Sequence, residues 1–141
     1  MTGGANVAST TGAVDSGAAL HFRALQIVLF LHCFGLLAQP SIAGEFLSGT
    51  DAVVKFHEWA GWAILGLCAI QIGLAVLAMR SGLATLWLLI GSIWVFLAEG
   101  LQVGSGYGQF LRVHVPLGVI VFGAVLLQTI AVFRRSSGNV K

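Results

Sequence analysis

Four long apolar runs separated by short polar breaks dominate the pattern of this chain: 24–43, 56–79, 83–103 and 113–133. Each reaches the length of about 20 apolar residues that lets a helix cross a bilayer core. In lipid every backbone N–H and C=O must be satisfied within its own segment, so the runs are expected to be helices. The expected architecture is all-α: a bundle of four transmembrane helices made of two tandem helical hairpins. The first run has no basic stretch before it and is too long for the apolar core of a signal peptide, so it is expected to be a retained span.

The polar breaks set the details. Pro40 and Gly44 are expected to end the first span, and Thr50 or Asp51 to cap the second helix and place His57 about two turns inside it. Arg80, Ser81 and Gly82 form a tight turn that makes spans two and three antiparallel neighbours. The stretch GSGYGQ (104–109) reads as a glycine-rich outer loop, with the fourth helix starting near Leu111 and tolerating Pro116 in its first turns. Residues 1–22 read as a flexible cytoplasmic tail, 23–135 as the membrane domain and 136–141 as a basic cytoplasmic tail.

Composition agrees: of 141 residues 57% are hydrophobic and 9% charged, against about a quarter charged in soluble domains. Arg23, Arg80, Arg134, Arg135 and Lys141 fall on one side of the membrane, and only Lys55 and Arg112 on the other. The positive-inside rule therefore places both termini in the cytoplasm of a bacterial-type inner membrane. The net charge of +2 is a topology signal, and no nucleic-acid motif accompanies it. Cys33 and Cys68 both lie mid-span and read as small buried apolar residues. No C-x-x-C-H is present, which excludes covalent haem attachment of the c type.

An internal repeat carries the candidate chemistry. HEWAGWAILGLCAIQ (57–71) and HVPLGVIVFGAVLLQ (114–128) share H-x3-G-x4-G-x4-Q, with Lys55 and Arg112 two residues before each histidine. On helices two and four, His57 with Gly61 and His114 with Gly118 share a face one turn apart. Two histidines at one depth on facing helices suit the axial ligands of a haem b. Gly61 and Gly118 would leave room for the ring plane, and Lys55 and Arg112 would meet the propionates. Gly66 and Gly123 point elsewhere and are expected to serve helix packing. Gln71 and Gln128 return to the histidine face about 21 Å deeper. His32 lies mid-span at another depth, either functional or simply hydrogen-bonded to a neighbour. Glu99 is a candidate to orient an axial histidine from behind. Trp59, Trp62, Trp87, Trp94 and Tyr107 read as interface and packing aromatics.

Across spans two to four this pattern resembles the small four-helix membrane b-type cytochromes, and uncharacterised four-span bacterial membrane proteins with a histidine near the outer end of spans two and four. The resemblance implies an axial role for His57 and His114 alone. Two-haem members carry a second histidine pair at the other face, where this chain has Gln71 and Gln128 and an isolated His21. The implied function is a membrane electron-transfer subunit with one haem b near the outer face. It would exchange electrons with quinone or a partner subunit, as part of an oxidoreductase complex rather than as an enzyme on its own. The alternatives are a non-catalytic accessory subunit of a larger membrane complex, with no cofactor, and a copper or zinc site of His57, His114 and Glu99.

Overall fold

The computed structural model describes residues 4–50 and 52–138. Four helices account for nearly all of them: α1 (Gly4–Leu47), α2 (Val53–Arg80), α3 (Leu86–Tyr107) and α4 (Leu111–Gly138). Each contains a stretch long and apolar enough to cross a membrane, namely Ser16–Glu45, Val53–Arg80, Leu86–Tyr107 and Leu111–Arg135. The all-α four-helix bundle expected from the apolar runs is therefore present. Large side chains such as Phe30, Phe34, Trp87, Leu97, Val119 and Leu127 lie exposed on its outside, as expected of helices whose solvent is lipid.

Several element boundaries differ from the sequence reading. Helix α1 runs unbroken through 4–22, the segment read as a flexible tail, and Phe22 belongs to the buried core. The segment is rich in alanine, and extending an existing helix avoids the cost of a new nucleus. Pro40 sits inside α1, which ends at Leu47 rather than near residue 43. Helix α2 is preceded by Ala52, in a helical conformation and without a side-chain cap; Thr50 does not fill that role, and Asp51 lies outside the described residues. His57 is thus only about one turn into α2. The expected loop 104–109 is mostly helix, because α3 continues to Tyr107.

The turns after α2 and after α3 close in the same way. After α2, Leu83 N–H reaches Ala78 O at 2.9 Å and Gly82 N–H reaches Met79 O at 3.0 Å, with Gly82 at φ 71°. After α3, Phe110 N–H reaches Ser105 O at 2.9 Å and Gln109 N–H reaches Gly106 O at 3.0 Å, with Gln109 at φ 56°. These are paired Schellman bonds with a left-handed residue at the C′ position. Glycine takes that conformation freely at the first turn, and glutamine is forced into it at the second.

The helices stand in a square. Each of α1 and α3 packs against both α2 and α4; among the described residues the diagonal pairs α1/α3 and α2/α4 have no Cα atoms within 8 Å. Side chains alone can bridge the diagonals. One apolar cluster, with Leu25, Leu29, Ala75, Ala78, Leu88 and Val132, fills the end near the α2–α3 turn. A second, with Cys68, Val95, Ala98, Val121 and Val125, fills the middle.

Candidate functional site

The two repeated histidines meet across the α2/α4 diagonal. Their ring centroids lie 6.1 Å apart, with the planes tilted by 55°. His114 donates from Nδ1 to the carbonyl of Gln102 at 2.9 Å, with Ser105 Oγ at 3.4 Å from the same nitrogen. That bond fixes the tautomer and leaves the Nε2 lone pair free to ligate, the arrangement usual for a metal-bound imidazole.

The repeat extends to α1 and α3, where sequence comparison alone did not show it. Gln39 of α1 reaches the notch at Gly61, its Nε2 lying 3.8 Å from where a Cβ would stand. Gln102 of α3 reaches the notch at Gly118, with the equivalent distance 2.9 Å. Gln39 also donates from Nε2 to the His57 carbonyl at 3.4 Å. Each hairpin thus repeats one unit: a glutamine on the rising helix seated beside a His-x3-Gly on the returning one. The signal was hidden because 18 residues separate Gln39 from His57 and 12 separate Gln102 from His114, so the two glutamines fall out of register when the histidines are aligned.

The flat space assigned to Gly61 and Gly118 is therefore taken by the amides of Gln39 and Gln102. Both are the far ends of flexible side chains. Gln39 Oε1, Gln102 Oε1 and His57 Nδ1 are buried without a hydrogen-bond partner, and buried polar atoms are rarely left so. Metal–imidazole bonds of about 2.0–2.1 Å would separate two trans ring centroids by about 6 Å, close to the spacing of His57 and His114. On spacing and donor type the two imidazoles would suit one iron between them, and a haem ring would need the Gln39 and Gln102 amides to leave the notches at Gly61 and Gly118. Lys55 and Arg112 are exposed near the N-terminal ends of α2 and α4.

Below this layer lies a second polar cluster, which the repeat only half announced. His32 of α1 is fully buried and bridges to two helices: Nδ1 donates to Gln71 Oε1 at 2.7 Å, and Nε2 lies 2.5 Å from Glu99 Oε1. Gln71 Nε2 donates to Ser92 Oγ at 2.8 Å and across the α2/α4 diagonal to Gln128 Oε1 at 2.9 Å. The Ser92 hydroxyl points at the Leu88 carbonyl at 2.8 Å. Because Ser92 accepts from Gln71, the Gln71 carbonyl faces His32, and His32 Nδ1 carries a proton. One further proton lies between Nε2 and the Glu99 carboxyl, and the pair has no net charge whichever atom holds it. A neutral pair is what a low-dielectric interior tolerates.

Glu99 and His32 therefore pair with each other and do not stand behind His57 or His114. The copper or zinc set of His57, His114 and Glu99 does not come together either. Among the described residues the His/Cys/Asp/Glu group close enough to share an ion is His32, Cys68 and Glu99. Cys33 and Cys68 are free thiols. Gly66 and Gly123 have nothing within 4 Å of a built Cβ, so they do not pack helices within this chain. At the same end as the histidine pair Trp62 donates to the Tyr107 hydroxyl at 3.2 Å, beside a shallow cleft that Glu58 and Trp59 complete. Comparison with family models, with curated proteins and with solved structures finds no match for the chain.

Proposed function

We propose that this chain is a membrane electron-transfer subunit that holds one haem b near the outer end of its bundle, with His57 and His114 as axial ligands. The observation that carries the reading is the approach of two imidazoles from non-adjacent helices to 6.1 Å. Beside them Gln39 Oε1, Gln102 Oε1 and His57 Nδ1 are buried without a hydrogen-bond partner, so this layer has polar capacity that its own side chains leave unused. Bound there, haem supplies a one-electron couple.

The protein's own groups have separable roles. The Gln102 carbonyl holds His114 in the ligating tautomer. Gln39 and Gln102 fill the glycine notches when no ring lies in them. Lys55 and Arg112 offer cations to carboxylates at the interface. A site at one face does not bridge the bilayer, so the subunit works with quinone or a partner protein. The Lys/Arg asymmetry puts this face outside the inner membrane, with both termini in the cytoplasm.

Absorbance of protein purified from haem-replete cells tests the reading. A low-spin bis-histidine spectrum is expected, lost in His57→Ala and in His114→Ala and kept in His32→Gln. Protein with no Soret absorbance overturns it.

A second reading, an accessory subunit of a larger complex, draws on Gly66, Gly73, Gly100 and Gly104, which are exposed and open outward. Small outward residues let a partner helix approach closely in lipid.

A further inference from the structure

We infer that His32, Cys68 and Glu99 form a binding site for a zinc-class divalent cation at the middle of the membrane, separate from the outer histidine pair. One ligand atom from each residue lies within 4.8 Å of the other two, and all three residues are buried. A nitrogen, a sulfur and an oxygen donor form a set that zinc accepts, with metal–ligand bonds of about 2.0–2.3 Å. Tetrahedral placement asks for ligand atoms about 3.5 Å apart; no pair exceeds 4.8 Å, and the Nε2–Oε1 pair at 2.5 Å would open by about 1 Å as the wider ones close.

Three further observations point the same way. Glu99 is 3% exposed, yet its Oε2 has no hydrogen-bond partner. His32 is already set as a ligand, because its Nδ1 proton is held by the Gln71 carbonyl while Nε2 faces the carboxylate. An outer partner of this kind orients metal-bound imidazoles. Charge also balances: the cation brings two positive charges, and Cys68 thiolate and Glu99 carboxylate bring two negative ones. Binding releases two protons, one from the thiol and one from the His32–Glu99 bond, and leaves a neutral site in a medium that penalises net charge. Neutrality selects a divalent ion over copper(I), and the thiolate selects against magnesium and calcium. Ser105, Gln102 and Glu99 follow one another at three-residue spacing on α3. They form a polar stripe of about 9 Å from the outer end to the site, a route of entry. The fourth position stays open to water or another ligand.

Cobalt(II) titration of the chelator-stripped, detergent-solubilised protein tests this. Spectra are taken as differences against cobalt-free protein, so that absorption by a haem at His57 and His114 cancels. The expected result is a near-ultraviolet thiolate-to-cobalt band with tetrahedral visible bands. It should saturate at one cobalt per chain, release two protons and disappear when zinc is added. Cys68→Ser should remove the band, Glu99→Gln should weaken binding at least tenfold, and Cys33→Ser should change neither. The His57→Ala/His114→Ala double variant should keep the band, which separates this site from the haem reading. Absence of a thiolate band in the helical wild-type protein at saturating cobalt overturns the inference, as does a band that survives Cys68→Ser.

Discussion

Gln71 and Gln128, the last matched columns of the internal repeat, hydrogen-bond to each other across the α2/α4 diagonal, Nε2 to Oε1 at 2.9 Å. The pair stands where no backbone contact joins the two helices. Within a bilayer the apolar effect gives helices little reason to associate, so such bonds contribute to both stability and register. A double-mutant cycle of Gln71→Leu and Gln128→Leu, measured by unfolding in mixed micelles, should give a coupling of about 0.6 kcal/mol and at most about 1.7 kcal/mol. No coupling would mean that the two amides do not meet in the membrane.

The His32–Glu99 bond is expected to matter through what its loss leaves unpaired. His32→Leu strands the Glu99 carboxyl and the Gln71 carbonyl and should cost about 1–3 kcal/mol. Glu99→Gln keeps an amide N–H that can donate to a neutral Nε2, so it should cost less than half as much. Unfolding midpoints of the two variants decide the order, and a Glu99→Gln cost equal to that of His32→Leu would contradict it.

The two glycine notches are unequal. A Cβ at Gly118 would lie 2.9 Å from Gln102 Nε2, whereas one at Gly61 would lie 3.8 Å from Gln39 Nε2. Gly118→Ala should displace the Gln102 side chain and shift the His114 ring resonances in an NMR spectrum. Gly61→Ala should leave the His57 resonances nearly unmoved. Equal shifts in the two variants would mean that the hairpins are more symmetric than they stand here.

Gln109 holds a left-handed conformation that costs a non-glycine residue about 1–2 kcal/mol. Gln109→Gly should raise stability by about 1 kcal/mol, less the extra entropy of the unfolded chain. A thermal scan showing a lower midpoint would argue against this turn.

Orientation is open to a direct check. Ser48 is exposed in the α1–α2 connection and Ser81 in the α2–α3 turn. In a cysteine-free background, Ser48→Cys should label with an impermeant maleimide in intact cells, and Ser81→Cys only after lysis. The reverse pattern would place the histidine pair on the cytoplasmic side. Ser105, though near the end of α3 beside the histidine pair, is a poor reporter because it is buried.

Helix number and span positions were legible because composition in a membrane protein is nearly a direct readout of solvent. The His57/His114 encounter was legible too, since two polar residues at one depth on parallel spans have few places to go. The helix ends were not: Pro40, Gly104 and Gly106 read as breaks, but lipid makes an interrupted backbone costly, and the helices run through them. The partnership of Gln39 and Gln102 with the repeat was masked because each stands at a different distance along the chain from its histidine. The His32–Glu99 pair was legible only as two isolated oddities, because they sit on diagonal helices and share no spacing rule.

The seating of Gln39 beside Gly61, and of Gln102 beside His114 and Gly118, bears on biogenesis. Each contact lies within one hairpin, so α1–α2 and α3–α4 can each enter the bilayer with that polar pair already matched. Glu99 has no such local partner: its bond to His32, like the bonds of Gln71 to Ser92 and Gln128, forms only when the second hairpin docks on the first. Insertion and assembly are thereby separated into two stages. A newly inserted second half that fails to find its mate presents the Glu99 carboxyl to lipid, which penalises an unpaired polar group.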